Sequence, residues 1–473
     1  MSNTTIKFGT GGWRAIIADG FTKANLQILC TAICNMMAEE KKTDKCVVIG
    51  YDRRFLSQEA AQWAAEVFAG NDIQVKWIDR AVPTPVIMYA VKEMNLHYGL
   101  AITASHNPAT YNGLKLFTSG GRDANEVVTA TLESHIEKVG DIKILAYEKG
   151  INSGKIEEFN PQNEYIDNII DNIDVECIKK ARLKIALDPM YGVSQTSLRT
   201  ILSTTRSEIE VIHERHDTLF GGKLPAPNEK TLGTLSNFVV DEKCDIGVAT
   251  DGDADRIGVI DENGKFVDPN QLLTLLYYYL LKYRGWKGPV VRNNSTTHLL
   301  DRVAEAFGEK CHEVPVGFKH ISSKMEETDA IIGGESSGGL TVKGHILGKD
   351  GIYAAALLVE IIAKSGKHLS ELYEEVTEQF GDVFIHNAEL LLRDNEEKEA
   401  LRVKIFQDKL MPTFPYDVDH VSYHDGCKVY FQNGGWVIAR FSGTEPLLRV
   451  TAEMADMEKA KEVVALFQKV LGI

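Results

Sequence analysis

Short β-rich apolar runs alternate with amphipathic helical stretches through the first three quarters of the chain. CVVIGYD (46–52), a helical stretch near Ser57–Ala69, IQVKWID (73–79), a helical stretch near Val86–Met94 and HYGLAITA (97–104) make two strand–helix–strand steps. KIALDPM, IEVIHER, DIGVAT and PVVRNN continue the alternation, which predicts mostly parallel sheets covered by helices. The last hundred residues or so change character, to mixed strands (KVYFQ, GWVIARFS, LLRVTAE) and a terminal helix, which predicts a smaller α+β domain. Soft breaks at KGINSGK, at DENGK and near residue 375 divide the chain into 1–150, 151–260, 261–375 and 376–473. No literal internal repeat is visible.

Four apolar strands run straight into polar, Gly-rich or Ser-rich segments: GLAITA into SHNP, DIGVAT into DGDADR, AIIGG into ESSGG, and WVIAR into FSGTEP. Ligands of open α/β sheets bind beyond the carboxyl ends of strands, so each junction is a candidate site wall. With about one junction per domain, the economical expectation is one central cleft lined by all four domains.

Composition narrows the function. The 473 residues carry 52 Lys+Arg against 67 Asp+Glu, a net charge of −15. Such a field repels nucleic acid and anionic membranes, and an anionic substrate then requires cations concentrated at its site. QLLTLLYYYLLKY and AAALLVEIIAK are short of the roughly 20 residues of a membrane span, and the N-terminus has no signal-peptide core. Seven dispersed cysteines form no CxxC; Cys30 and Cys34 read as core-facing thiols, and a reducing, cytoplasmic setting is expected.

In DGDADR, Asp251, Asp253 and Asp255 alternate, so an extended backbone would throw all three carboxylates to one side. Clustered anions raise one another's pKa unless a cation sits among them, and hard oxygen ligands suit Mg²⁺. An EF-hand fails because Arg256 stands where the loop needs Gly. A solvated acidic turn is the plain alternative. Ser105, in TASHNP, has turn residues around it and reads as a surface-loop serine; no G-x-S-x-G elbow surrounds it, and a hydroxyl beside a metal triad suggests phosphoryl transfer. Beyond it, YNGLKLF supplies Lys115 as a base or phosphate contact. Glu335 and Ser337 in GGESSGG suit sugar hydroxyls, and Arg440, Ser442, Gly443 and Thr444 in RFSGTEP make a small anion cradle. Arg14 in FGTGGWR, Lys319 in VGFKH and Lys349 in LGKDG are weaker single-cation signals. Flexible turns and solvated lysines are the bland alternatives for these segments.

TASHNP, DGDADR, GESSGG and RFSGTEP, in that order, resemble the motifs of the α-D-phosphohexomutases, phosphoglucomutase and phosphomannomutase among them. The resemblance runs from FGTGGWR to the last strand. It implies three related mixed-sheet α/β domains and a C-terminal α+β domain around a central cleft. It places the transferring phosphoryl on Ser105, and Mg²⁺ on that group with Asp251, Asp253 and Asp255. It makes Lys115 the general base and has His106 and Arg256 support the phosphoserine, with Arg14 near it. Glu335 and Ser337 would read sugar hydroxyls; Arg440, Ser442, Gly443 and Thr444 would grip the non-reacting phosphate, with Lys319 and Lys349 adding contacts. The implied reaction interconverts glucose 1-phosphate and glucose 6-phosphate through glucose 1,6-bisphosphate, which also serves as activator. The alternatives are a glucose-1,6-bisphosphate synthase drawing on a donor such as fructose 1,6-bisphosphate, and a non-catalytic sugar-phosphate-binding protein. One departure is evident: Gly339 closes the sugar motif where mannose- and glucosamine-type members carry His, which favours glucose. His345, six residues on, is a weak substitute.

Overall fold

A computed structural model describes residues 6–9, 11–442 and 446–472. They form two compact units, one of the described residues up to Tyr279 with Ser337–Leu372, the other of Leu280–Ser336 with the described residues from Tyr373 onward.

In the first unit, one sheet runs in the order Trp13–Ile16, Tyr111–Thr118, Tyr98–Ile102, Val47–Tyr51, Val75–Ile78, Ile156–Phe159. The last four strands are mutually parallel and the first two pair antiparallel, so the sheet is mixed rather than mostly parallel. Ile156–Phe159 joins this sheet from beyond the expected break at 150. Val47–Tyr51 and Tyr98–Ile102 are buried at every position, as strands covered on both faces must be. The covering helix Lys23–Glu39 is capped by Thr22, which accepts from Asn25 N, and turns Leu26, Leu29, Cys30, Ile33, Cys34 and Met37 into the core. Both cysteines there are free, buried thiols. The second sheet repeats the mixture in the order Phe266–Val267, Ile257–Ile260, Ile246–Thr250, Lys184–Asp188, Glu208–Val211.

In the second unit, Cys311–Val314, Val290–Asn293 and Ile332–Gly334 pair in parallel. A five-stranded antiparallel sheet follows, in the order Phe384–Leu391, Leu447–Met454, Trp436–Phe441, Cys427–Phe431, Val418–Ser422. Helix Met457–Leu471, capped by Asp456, packs Val463, Val464 and Phe467 into the core it shares with that sheet.

A repeat invisible as sequence is plain as topology. Val47–Tyr51, Lys184–Asp188 and Val290–Asn293 each lie between the next strand of their sheet on one side and the third on the other. That 2-1-3 order creates a switch point beside the third strand, where ligands of such sheets bind. TASHNP, DGDADR and ESSGG each follow a third strand: Tyr98–Ile102, Ile246–Thr250 and Ile332–Gly334. No helix of the described residues is long and apolar enough to cross a membrane.

Candidate active site

Ser105 is fully buried rather than exposed in a surface loop. Its backbone has φ +52°, a left-handed conformation that non-glycine residues hold only when their surroundings enforce it. The enforcement is visible. Ser105 N donates to Thr103 Oγ1 at 2.9 Å, and Thr103 Oγ1 donates to Asp52 Oδ2 at 2.6 Å. The Arg54 guanidinium donates to four carbonyls of this loop and its exit: Ser105 O and Asn107 O at 2.7 Å, Pro108 O at 2.8 Å and Tyr111 O at 3.0 Å. Ser105 Oγ points at Asp251, donating to Oδ2 at 2.7 Å, and lies 3.3 Å from His106 Nδ1.

Asp251, Asp253 and Asp255 are wholly buried, which excludes a solvated acidic turn, and one ligand oxygen from each lies within 4.8 Å of the others. They converge by a different route from strand alternation. Residues 251–255 form a turn with Ala254 at φ +63°, not an extended segment. Two ammonium groups stand among the carboxylates. Lys115 Nζ bridges Asp253 Oδ2 at 2.7 Å and Asp255 Oδ2 at 2.6 Å, and Lys349 Nζ reaches Asp255 Oδ2 at 2.8 Å. Thr84 Oγ1 adds a bond to Asp253 Oδ2 at 2.8 Å. Asp253 Oδ1 and Asp255 Oδ1 are buried with no hydrogen-bond partner. Unsatisfied, clustered carboxylate oxygens fit a hard divalent cation.

The charges follow this geometry. Burial, then Asp253 and Asp255, pushes the Asp251 pKa well up. Burial also acts to raise Asp255, but Lys115 and Lys349 outweigh it and hold that carboxyl well below its usual range. A lysine serving as general base needs a lowered pKa. Burial does act on Lys115 in that direction, but Asp253 and Asp255 outweigh it and the ammonium is held above its ordinary value. The His106 pKa is lowered to about 2 by burial and by Arg256 and Arg14, so its imidazole is neutral.

Arg14, on strand Trp13–Ile16, donates from Nη1 to Asn107 Oδ1 at 2.6 Å, beside the serine loop. The Gly-rich segment before it permits a close approach: Gly12 has φ +104°, and a Cβ there would lie 2.5 Å from Leu114 O. Arg256 N donates to Asp251 Oδ1 at 3.1 Å, and its Nε lies 3.9 Å from Asp255 Oδ1. Serine, His106, three carboxylates, Lys115, Arg14, Arg256 and Lys349 therefore share one site. Gly338 and Gly339 are stitched to the end of the acidic turn, through Ile257 N to Gly338 O at 3.2 Å and a bridge between Arg256 and Gly339. Ser337 is exposed. His345 does not face this chemistry. It is buried between Asp350 Oδ2 at 2.6 Å and Asn168 Oδ1 at 3.1 Å, while Asp350 Oδ1 caps helix Gly351–Ser365.

In the second unit, Glu335 Oε1 accepts from Gly317 N at 3.1 Å and Asn293 Nδ2 at 3.3 Å. Arg440, next to last in strand Trp436–Phe441, has Nε on Asp425, 3.1 Å from Oδ1 and 3.2 Å from Oδ2. Ser442 N closes the hairpin to Leu447 O at 2.8 Å. Lys319 lies half-buried in the first turn of helix Phe318–Thr328. Gly443 and Thr444 lie outside the described residues. Sequence reasoning missed Arg54, Asp52, Thr84 and Asp425. The first two had a usable signal, because YDRR is another apolar strand running into charged residues.

Four family models, described as phosphoglucomutase/phosphomannomutase alpha/beta/alpha domains I, II and III and C-terminal domain, match residues 5–143, 163–264, 268–380 and 394–470. A phosphoglucomutase/phosphomannomutase of Thermococcus kodakarensis is 32% identical over 98% of both chains. A probable phosphoglucosamine mutase of Pyrococcus furiosus is 30% identical over 98% of this chain and 97% of its own. The crystal structure of a putative phosphomannomutase from Thermus thermophilus superposes with a TM-score of 0.86 at 29% identity, covering 99% of each chain. A buried serine facing a carboxylate triad, on a fold with these relatives, settles the class: the chain belongs to the phosphoglucomutase/phosphomannomutase family of α-D-phosphohexomutases and is an intramolecular phosphotransferase.

Proposed function

We propose that the protein interconverts glucose 1-phosphate and glucose 6-phosphate through glucose 1,6-bisphosphate, by way of a phosphorylated Ser105. The observation that carries this reading is the buried Ser105 Oγ, aimed at Asp251 in a triad whose other two members keep an unpaired oxygen each. Asp251, Asp253 and Asp255, with the phosphoryl group on Ser105, would hold Mg²⁺. Bound there, that ion would supply Lewis acidity, drawing charge from the phosphoryl oxygens.

The chain's own residues do the rest. In the first transfer the Oγ–P bond of phospho-Ser105 breaks and a bond forms from phosphorus to the free hydroxyl of the hexose monophosphate. The intermediate turns, and Ser105 takes the other phosphoryl back. The departing Ser105 Oγ takes up one proton and the attacking hydroxyl loses one; both are assigned to Lys115, which passes the proton that Asp253 and Asp255 now hold on it to Oγ and takes the hydroxyl's in its place. His106, with Nδ1 3.3 Å from Ser105 Oγ, and the guanidinium groups of Arg14 and Arg256 support the phosphoserine. Glu335 and Ser337 read the sugar hydroxyls. Arg440, Ser442, Gly443 and Thr444 grip the phosphate that is not reacting, with Lys319 and Lys349 adding charge. Gly339 in place of His supports glucose as the sugar. Seven cysteines, free wherever described, support a reducing, cytoplasmic setting.

The deciding experiment supplies glucose 6-phosphate and Mg²⁺ with either catalytic glucose 1,6-bisphosphate or stoichiometric fructose 1,6-bisphosphate. A mutase retains its intermediate, so glucose 1-phosphate forms and the bisphosphate stays at trace level. Donor-driven accumulation of glucose 1,6-bisphosphate without interconversion would assign a synthase instead. Neither product, with glucosamine 6-phosphate turned over, would move the substrate to the amino sugar.

A further inference from the structure

Two carboxylates of the second unit bracket one stretch of backbone. Glu335 Oε1 accepts from Gly317 N at 3.1 Å, and Asp425 Oδ2 accepts from the preceding amide, Val316 N, at 2.8 Å. Two successive asparagines hold the same pair. Asn293 Nδ2 donates to Glu335 Oε1 at 3.3 Å, and Asn294 Nδ2 donates to the backbone carbonyl of Asp425 at 2.9 Å. Asp425 also carries Arg440, through Nε at 3.1 and 3.2 Å. Its loop lies close against the Arg440 strand: the next residue, Gly426, has φ +102°, and a Cβ there would lie 2.9 Å from Ala439 O and 3.2 Å from Arg440 Cβ. Arg440 and Asp425 are therefore linked to Glu335 by hydrogen bonds on two successive amides, Val316 N and Gly317 N, joined by the covalent backbone of Val316.

We propose that Asp425 is a positioning residue which, tethered by Asn294 and Val316, sets the Arg440 phosphate grip at a fixed distance from the hydroxyl reader Glu335. A hexose phosphate presents its phosphate and ring hydroxyls within a span limited by a rigid ring and a few rotatable bonds, so a fixed spacing in the protein favours one bound arrangement of it. Asp425 meets Arg440 through Nε. A carboxylate on that atom orients the whole planar guanidinium, which a lysine at the same place could not offer. Asp425 itself touches no substrate in this scheme. The inference rests on the reading of Arg440 as the phosphate grip.

The test is a double-mutant cycle on the full chain, with steady-state kinetics for glucose 1-phosphate and thermal unfolding of each variant. Arg440→Ala should raise KM about tenfold or more, the loss expected for a charge-assisted contact. Asp425→Ala should raise KM about fivefold, with kcat within about twofold of wild type, as a lost orienting bond would. Asp425→Asn, which keeps the shape and the Val316 contact, should fall between wild type and Asp425→Ala. The double variant should be no worse than Arg440→Ala, because Asp425 acts only through Arg440. Losses that multiply in the double variant would overturn the proposal. So would unchanged KM in both Asp425 variants while Arg440→Ala is impaired, or a fall in kcat and melting temperature at constant KM, which marks a merely structural role. If Asp425→Ala does not fold, Asp425→Asn and its double with Arg440→Ala decide. Unchanged KM in Arg440→Ala refutes the phosphate-grip reading itself, whatever Asp425 does.

Discussion

Ser105 Oγ donates to Asp251 Oδ2 across 2.7 Å, joining two strand-end loops that lie 146 residues apart. The bond fixes which atom of the serine faces the acidic cluster. It also gives Ser105 two roles, as phosphoryl carrier and as the donor that satisfies a buried carboxylate.

These roles separate in Ser105→Ala. Alanine tolerates the left-handed backbone no worse than serine, so the loop survives, but Asp251 Oδ2 loses its donor. Against the unphosphorylated wild type, a stability loss of about 1–3 kcal/mol is expected, the cost of leaving a buried acceptor unpaired. Turnover should vanish, and intact-mass analysis should show one phosphate on the wild type and none on the variant. Reproducible phosphate on another serine, with an active Ser105→Ala, would remove the proposed nucleophile.

Asp253→Asn tests the cation site by chemistry rather than by shape. Asp253 Oδ2 accepts from Lys115 and Thr84, and the amide oxygen of Asn can take both bonds. The amide NH₂ then occupies the position of the unpaired Oδ1, presenting donors where a cation needs an acceptor. Calorimetric titration with Mg²⁺ alone should show affinity reduced about tenfold or more, with melting near wild type. Chelation should abolish turnover of the native enzyme and Mg²⁺ should restore it. Equal Mg²⁺ affinity in Asp253→Asn would contradict the assignment.

What was legible from the chain was local. Apolar runs ending in chemistry named the strand ends correctly, because burial on both faces of a central strand writes a continuous apolar run whatever its neighbours. The clustering of Asp251, Asp253 and Asp255 was expected, but on an extended backbone; the turn at Ala254 that actually produces it was not legible. What stayed hidden is held by distant partners. Arg54 reads as an ordinary arginine until its guanidinium is seen on carbonyls 51 to 57 residues away. Asp425 reads as a turn residue until Val316 is found on it from 109 residues away. The threefold 2-1-3 strand order left no sequence repeat, because any β-branched or bulky apolar residue satisfies a buried strand position.

Lys428 gives the protein a pH dependence away from the cation site. It is buried, its ammonium lies 4.4 Å from the centre of the Trp436 ring and 4.7 Å from that of Tyr430, and it bonds Glu313 Oε2 at 2.6 Å and His298 Nε2 at 3.0 Å. Burial and nearby Arg292 lower its pKa to about 8, against the partial compensation of Glu313. Between about pH 8 and the ordinary lysine value the unfolded chain therefore binds a proton that the folded chain has released, so this group's contribution to stability rises with pH across that window. Below about pH 8 both states are charged and the full cost of the buried charge remains. Urea unfolding of wild type and Lys428→Met at about pH 7.5 and about pH 9.5 should show the wild type gaining on the variant at the higher pH. A constant difference would mean that Lys428 keeps an ordinary pKa.

Gly339 closes the sugar motif, and the structure gives a steric reason for a residue without a side chain there. A Cβ at this position would lie 2.4 Å from Lys349 Cδ and 3.0 Å from Lys349 Cγ. Those are mid-stem atoms, so an added methyl must push the whole lysine aside, and its Nζ with it, from its place 2.8 Å from Asp255 Oδ2. Gly339 is not in the left-handed region, so alanine introduces the clash without backbone strain. Gly339→Ala should therefore copy Lys349→Met: both should raise KM for the hexose phosphate by a similar factor. Both should leave Mg²⁺ affinity equal or tighter, because a cation competing for Asp255 has withdrawn. The double variant should match Lys349→Met alone, as two changes acting through one side chain must. Losses that multiply in the double variant would show that Gly339 acts on something other than Lys349.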